Sequence, residues 1–170
     1  MTITDNRTAE RTSARLPEGA APGFEASERL RANLQSVLVD LVELHLQGKQ
    51  AHWNLVGTNF RDLHLVIDEV VDGARELSDT IAERMRALRA VPDGRTDTVA
   101  ATTSLPAFPA GEQDTREVVE LVSNRLSAVA ARVRAVHDQV DEDDPTSADL
   151  LHQVLETTEK YAWLVGAENR

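Results

Sequence analysis

The sequence predicts an all-α protein built as a four-helix bundle, and three observations support this fold class. Apolar side chains recur at steps of three and four residues along four long segments, which is the period of an amphipathic helix. No segment has the alternating pattern of a half-buried strand. The connection between the second and third segments is too long for a turn. A chain of 170 residues suffices for one domain with a substantial core.

The first predicted helix covers residues 26–53. Residues 1–25 precede it and are rich in Thr, Ala, Pro and Gly without a sustained apolar period, which is typical of a flexible tail. The folded domain is therefore predicted to span residues 26–170. The main apolar positions of this segment are Leu30, Leu34, Val37, Leu38, Leu41, Leu44 and Leu55. Gly57 and Thr58 then predict a turn and an N-cap for the next helix.

The second predicted helix covers residues 59–90, and Pro92 with Gly94 ends it. Its apolar stripe consists of Phe60, Leu63, Ile67, Val70, Ala74, Leu77 and Ile81. Residues 92–113 hold three prolines and form the long connection, with room for one short helix. A crossover of this length lets the third helix start at the far end of the bundle, parallel to the second.

The third predicted helix has a strict heptad seam, formed by Val119, Val122, Leu126, Val129, Val133, Val136 and Val140. Asp114 and Glu117 form a capping pair at its start. An acidic break, residues 141–144, precedes Pro145 in the first turn of the fourth helix. That helix runs to about Gly166 on Leu150, Leu151, Val154, Leu155, Tyr161, Leu164 and Val165. Four such helices with one long crossover predict a ferritin-like bundle.

Composition excludes several classes of protein. The chain has no cysteine, so it has neither a disulfide framework nor a thiolate metal site. No apolar run is long enough to span a membrane, and the first residues lack the apolar core of a secretory signal. We therefore expect a cytoplasmic protein. The net charge of −11 disfavours a broad nucleic-acid footprint and favours the attraction of cations.

Two pairs of metal-ligating side chains lie on the second helix. His64 and Asp68 are four residues apart, as are Asp79 and Glu83, and all four fall within about 100° of the helix circumference. His52 precedes His64 by twelve residues. Imidazole and carboxylate donors without thiolate suit iron, manganese or zinc. The alternative is that each pair is an ordinary hydrogen-bonded or solvated pair of side chains.

A single chain does not close this site, because Asp68 and Asp79 are about 16 Å apart on a straight helix. The midpoint of His64 and Glu83 coincides with that of Asp68 and Asp79, between residues 73 and 74. A two-fold axis at this point would bring each pair beside the opposite pair of a second subunit. Residues 73 and 74 are small, which favours a close approach of the two backbones. The spacing predicts two equivalent metal sites at a dimer interface.

The segment Lys49-Gln-Ala-His52-Trp53-Asn-Leu-Val-Gly57, followed by the Phe60, Leu63, His64, Asp68 and Asp79 positions and by Ala82-Glu83-Arg84, resembles the signature of the Dps family. The similarity covers residues 27–166. The resemblance implies a ferroxidase whose catalytic iron ligands come from two subunits. One subunit would supply His52, His64 and Asp68, and its two-fold mate would supply Asp79 and Glu83.

The resemblance also implies a homododecameric shell with two iron sites at each dimer interface. Hydrogen peroxide would oxidise Fe(II) there, and Fe(III) would mineralise in the cavity, which protects the cell from oxidative damage. Zn or Mn would compete for the sites. Trp53 would pack beside the site and Lys49 would pair with Asp68. Asp149, Asp144 and Asp141 are candidates for a pore that admits iron, whereas His45, His137 and His152 are interpreted as structural or surface residues.

Two other functions stay open. In the first, the cage binds and compacts DNA in the nucleoid, and iron oxidation is secondary. The predicted tail counts against it, because Arg7, Arg11 and Arg15 are offset by four acidic residues. In the second, the same fold catalyses an unrelated reaction, such as hydrolysis at a bound metal. The complete set of five ligands favours iron oxidation.

Overall fold

Five α-helices follow one another in the computed structural model, which describes residues 23–169. They are α1 (Glu28–Asn54), α2 (Phe60–Ala87), α3 (Thr96–Thr102), α4 (Thr115–Asp143) and α5 (Pro145–Gly166), with a 3-10 turn at Ala167–Asn169. The predicted all-α bundle is thus confirmed, and α3 is the short helix expected in the crossover. Almost all of the predicted tail, residues 1–25, lies outside the described residues. None of the described helices is long and apolar enough to cross a membrane.

The core lies where the four amphipathic faces meet. Every position of the heptad seam of α4 is buried, and so is every apolar position predicted for α1. Burying one such Leu or Val side chain stabilises the fold by about 1.5–3 kcal/mol. Phe60 is the exception on α2, because its ring is about half exposed.

A close contact fixes the packing of α1 against α2. A methyl group built on Gly48 would lie 2.7 Å from Cγ2 of Val71, which is closer than van der Waals contact allows. Glycine at this position therefore lets the two helices approach each other just one turn before His52.

Several helix ends differ from the predicted ones. Asp114 does cap α4 as predicted, by accepting a hydrogen bond from Arg116 N, and Ser27 caps α1 by accepting one from Leu30 N. The predicted cap of α2 at Thr58 is wrong, because Asn59 precedes the helix in a left-handed conformation with φ of 65°. The helix also ends before Pro92, since Arg89 adopts φ of 61° and turns the chain.

The prediction that the chain has no strand is wrong in one detail. Leu55–Val56, three residues before α2, pairs in parallel with Gln113–Asp114, which immediately precedes α4. Two residues are too few to produce an alternating pattern, so this pairing could not be predicted from the sequence. The pairing brings the starts of α2 and α4 to the same end of the bundle. The two helices therefore run parallel, as the crossover length predicted.

Two buried charged side chains fasten the crossover to the bundle. Asp40 of α1 accepts hydrogen bonds from Thr103 Oγ1, Ser104 N and Ser104 Oγ. Arg125 of α4 donates to the carbonyl oxygens of residues 106 and 107 and to Oε1 of Gln47. A buried charge is stable only when it is paired or hydrogen-bonded, so these contacts hold the long connection in one place.

Candidate metal centre

Three of the predicted ligands lie together at the end of the bundle where α1 passes into α2. His52 is in the last turn of α1, His64 is in the second turn of α2, and Asp68 follows one turn later. One donor atom from each residue lies within 4.8 Å of the others. Among the described residues this is the only such group of three or more histidine or acidic side chains. The tight turn after Asn54 explains why residues twelve apart can meet.

The two histidines orient each other through the backbone. Nδ1 of His52 lies 3.1 Å from the carbonyl oxygen of His64, and Nδ1 of His64 lies 3.1 Å from the carbonyl oxygen of His52. A carbonyl oxygen only accepts, so each Nδ1 carries the proton and donates it. Each Nε2 is then left with a lone pair, which is the state that a metal ligand requires. The rings stack with their centroids 3.6 Å apart.

Burial favours a neutral imidazole at His52, and a hydrogen bond from Lys49 favours an ionised carboxylate at Asp68. Burial lowers the pKa of His52 below its ordinary value, although the hydrogen bond to the carbonyl of His64 and the nearby Asp68 oppose this effect. Lys49 Nζ donates to Asp68 Oδ1 at 2.6 Å, and this hydrogen bond lowers the pKa of the Asp68 carboxyl. The predicted pairing of Lys49 with Asp68 is therefore present.

The structure does not bring the other two predicted ligands to this cluster. Asp79 and Glu83 lie further along α2, where both side chains are exposed on the surface of the subunit. Three donors from one chain leave coordination positions open, since iron, manganese and zinc take four to six ligands.

One part of the argument for a two-fold axis is wrong. A methyl group on Gly73 would meet side-chain atoms of Tyr161 and Thr157 in α5, and Ala74 is buried in the core. Ala74 therefore does not lie on the surface, whereas Gly73 is partly exposed and its side-chain position faces α5 of the same subunit. The surface of α2 at this level is formed by Asp72, Arg75 and Glu76.

Three large apolar side chains form an exposed apolar rim at the cluster: Phe60 contacts His64, and Trp53 and Leu65 follow His52 and His64 directly in the chain. Trp53 is 71% exposed, and Phe60 and Leu65 are about half exposed. Trp53 is therefore not a core residue of the subunit. Phe60 stacks on His64 with ring centroids 5.1 Å apart, a contact that the sequence pattern missed because it placed Phe60 in the core stripe. An apolar rim around polar ligands is typical of a surface that another protein covers.

The acidic junction of α4 and α5 divides into two kinds of residue. Asp141 and Asp149 are exposed, whereas Asp144 is only 9% exposed. The carboxylate of Asp144 accepts hydrogen bonds from Arg84 Nη2 at 2.7 Å and from Ser147 Oγ. Burial alone would raise the pKa of Asp144, but these hydrogen bonds lower it. Asp144 therefore holds α2 against the helix junction, and the pore stays a prediction for Asp141 and Asp149.

The three remaining histidines differ in their surroundings. Burial, Arg75 and Lys49 lower the pKa of His45, which is half-buried on α1. His137 and His152 contact each other across α4 and α5, with their Nε2 atoms 2.8 Å apart. Their interpretation as unrelated surface or core residues missed this contact. Their equal distances in sequence from the junction of the two helices were the signal that could have revealed it.

Comparison with known proteins gives a consistent result. The model of the ferritin-like domain matches residues 31–169. DNA protection during starvation protein 2 of Deinococcus radiodurans is 35% identical over 147 residues, which is 86% of this chain and 61% of that protein. The DNA protection during starvation protein of Agrobacterium fabrum is 33% identical over 135 residues, 79% of this chain and 83% of that protein. The structure of Dps from Microbacterium arborescens in the high iron form superposes with a TM-score of 0.78 at 33% identity, covering 85% of this chain and 97% of that one.

Proposed function

This chain belongs to the Dps family of ferritin-like proteins, and on that premise we propose that it is a ferroxidase that stores iron. In the proposed reaction two Fe(II) ions each give one electron to hydrogen peroxide. The O–O bond breaks, two protons are taken up, and two water molecules form together with two Fe(III) ions. The Fe(III) would mineralise inside a shell of twelve copies of the chain.

The observation that carries this proposal is the cluster of His52, His64 and Asp68. Its two imidazoles have Nδ1 bound to backbone carbonyls, so the orientation and the tautomer suited to binding Fe(II) are set before the ion arrives. The carboxylate of Asp68 adds the negative charge that a divalent ion prefers.

Asp79 and Glu83 of a two-fold-related copy would complete the coordination of the iron. Their exposure and their symmetric spacing with His64 and Asp68 about one point of α2 both support this assignment. The exposed apolar rim around the cluster fits a surface that becomes buried between two copies. Burial in that interface would also exclude water from the reacting ions.

Other residues of the chain would support the reaction indirectly. Lys49 would hold Asp68 in place until an ion binds. Trp53, beside His52, would trap oxidising equivalents that escape the site. Asp141 and Asp149 would focus cations toward a pore, in keeping with the net charge of −11. Zn²⁺ and Mn²⁺ would compete with Fe(II), since they prefer similar donors.

The test compares wild type with Asp79→Ala, Glu83→Ala and the control Glu120→Ala, which removes an exposed carboxylate of α4, away from α2 and from the proposed ligand set. Each protein is loaded with Fe(II) without oxygen and given one pulse of peroxide, while ferric absorbance and particle size are followed. We expect two irons oxidised per peroxide in wild type and in the control. The two ligand variants should oxidise iron at least about 100-fold more slowly in shells of unchanged size. Equal rates in all four proteins would refute the proposal.

DNA protection is a second candidate, because two of the relatives described above carry that name. The arginines of the predicted tail, which lie outside the described residues, would have to contact phosphates. A gel-shift titration at rising salt distinguishes the candidates. Affinity that falls steeply with salt and disappears when residues 1–22 are removed would favour DNA binding. Absence of a shift at low salt would exclude it.

A further inference from the structure

His137 and His152 are the chemically distinctive pair outside the proposed iron site. His137 lies seven residues before Asp144 on α4, and His152 lies seven residues after Pro145 on α5. Two antiparallel helices place such positions side by side, each about 10 Å from the corner. The two rings face each other with centroids 4.7 Å apart and an interplanar angle of 32°. Their Nε2 atoms are 2.8 Å apart.

A carboxylate lies on the other side of each ring. Nδ1 of His137 is 3.2 Å from Asp138 Oδ1, and Nδ1 of His152 is 3.7 Å from Asp149 Oδ1. Only the Asp138 carboxylate is within hydrogen-bonding distance, and it favours a proton on Nδ1 of His137, which leaves the lone pair on Nε2; Asp149 lies beside His152 without a hydrogen bond. The 2.8 Å contact between the Nε2 atoms is therefore either an N–H···N hydrogen bond, in which one ring carries its proton on Nε2, or a position in which both Nε2 lone pairs face a bound cation.

We propose that His137 and His152 form a two-histidine binding site for a divalent transition-metal ion that prefers imidazole, such as Zn²⁺, Ni²⁺ or Cu²⁺. Bonds of about 2.0–2.1 Å at angles of 90–109° require the two nitrogens to be about 2.8–3.4 Å apart, which agrees with the pair in its present position. The site is independent of the proposed iron site and does not rest on iron oxidation. It would hold the ion between α4 and α5, about two helical turns from their junction.

The exposure of the two histidines and the carboxylates beside them are compatible with a metal site. The side chain of His152 is 60% exposed and that of His137 is 22% exposed, so an ion can reach the nitrogens while His137 stays anchored. The two carboxylates lie on the Nδ1 side of the rings, away from the ion. Water molecules would therefore supply the remaining ligands of the ion on the Nε2 side. A carboxylate hydrogen-bonded behind a ligating imidazole raises its basicity, and its loss typically weakens metal binding 10–100-fold.

The experiment counts Zn²⁺ ions bound per subunit by titration calorimetry of the full chain. It compares wild type with His137→Ala, His152→Ala and His64→Ala, and with His45→Ala as a matched histidine outside both sites. We expect His137→Ala and His152→Ala each to lose one ion, or to bind it at least 10-fold more weakly. The double variant His64→Ala/His137→Ala should lose the ions of both sites, and His45→Ala should lose none.

Anomalous diffraction at the zinc edge supplies a second measurement, with a peak expected between the two Nε2 atoms. Unchanged stoichiometry and affinity in both single variants would overturn the proposal and leave a simple N–H···N hydrogen bond. A crystal soaked with Zn²⁺ that shows no peak between the rings would overturn it as well. Circular dichroism checks folding, and the more exposed His152 provides the variant less prone to disturb the helices.

Discussion

Complementation between two inactive variants gives the sharpest test of a site shared by two subunits. His64→Ala removes a ligand from the histidine-containing half, and Asp79→Ala removes one from the carboxylate half. In a mixed dimer, one site lacks both groups, but the other combines an intact His64 with an intact Asp79. When equal amounts associate at random, half of the dimers are mixed and half of their sites are intact. About a quarter of wild-type activity should therefore return.

The assay is peroxide-driven iron oxidation after the two variants have been unfolded together and refolded in a 1:1 mixture. Each variant refolded alone should stay inactive, because all of its sites lack one ligand. A mixture of His64→Ala with His52→Ala is the control, since both losses fall on the same half and a mixed dimer has no intact site. Recovery near zero in the first mixture, with normal assembly, would refute the assignment of the ligands to two subunits.

Two further predictions concern stability and are measured as shifts in the melting temperature of the assembled protein. Asp144→Asn should cost about 2 kcal/mol at neutral pH, because Arg84 loses its ionised partner, whereas the exposed Asp141→Asn should cost less than about 0.5 kcal/mol. Folding lowers the pKa of Asp144, so the stability that its ionised carboxylate contributes is fully present above the pKa of the unfolded carboxyl and is lost as the pH falls through the folded pKa. The difference in melting temperature between Asp144→Asn and wild type should therefore shrink in acid. A difference that stays constant with pH would contradict this reasoning. Gly48→Ala should cost about 1–3 kcal/mol because its methyl group would overlap the stiff side chain of Val71, whereas Gly94→Ala, which meets no atom within 4 Å, should be nearly neutral. Equal melting temperatures for these two glycine variants would show that α1 and α2 adjust their separation freely.

The helices and their faces were predictable because periodicity reports burial directly. The seam from Val119 to Val140 is buried throughout, as its spacing required. What the sequence could not predict depends on contacts between distant segments. The pairing of Leu55–Val56 with Gln113–Asp114 is too short to leave a pattern, and the left-handed Asn59 moved the start of α2.

The metal centre was predicted in part, because helical periodicity also places its ligands on one face. Spacing of four residues placed His64 and Asp68 on one face of α2, and the turn brought His52 to them. The bonds from their rings to backbone carbonyls could not be predicted, since they depend on the angle between two helices. Ala74 illustrates an expectation that was wrong. Its small size suggested the close approach of a second subunit, but the residue is buried in the core of its own subunit.

The reciprocal bonds between His52 and His64 give the centre a built-in redundancy. Each ring is held by a main-chain oxygen at the other position, and that oxygen is present whichever side chain the position carries. Loss of one imidazole therefore removes one donor but leaves the remaining ring correctly aimed. A chain that has lost either histidine by mutation keeps the other imidazole in its binding orientation. A single reversion, or an imidazole supplied from solution, would then restore the original donor set.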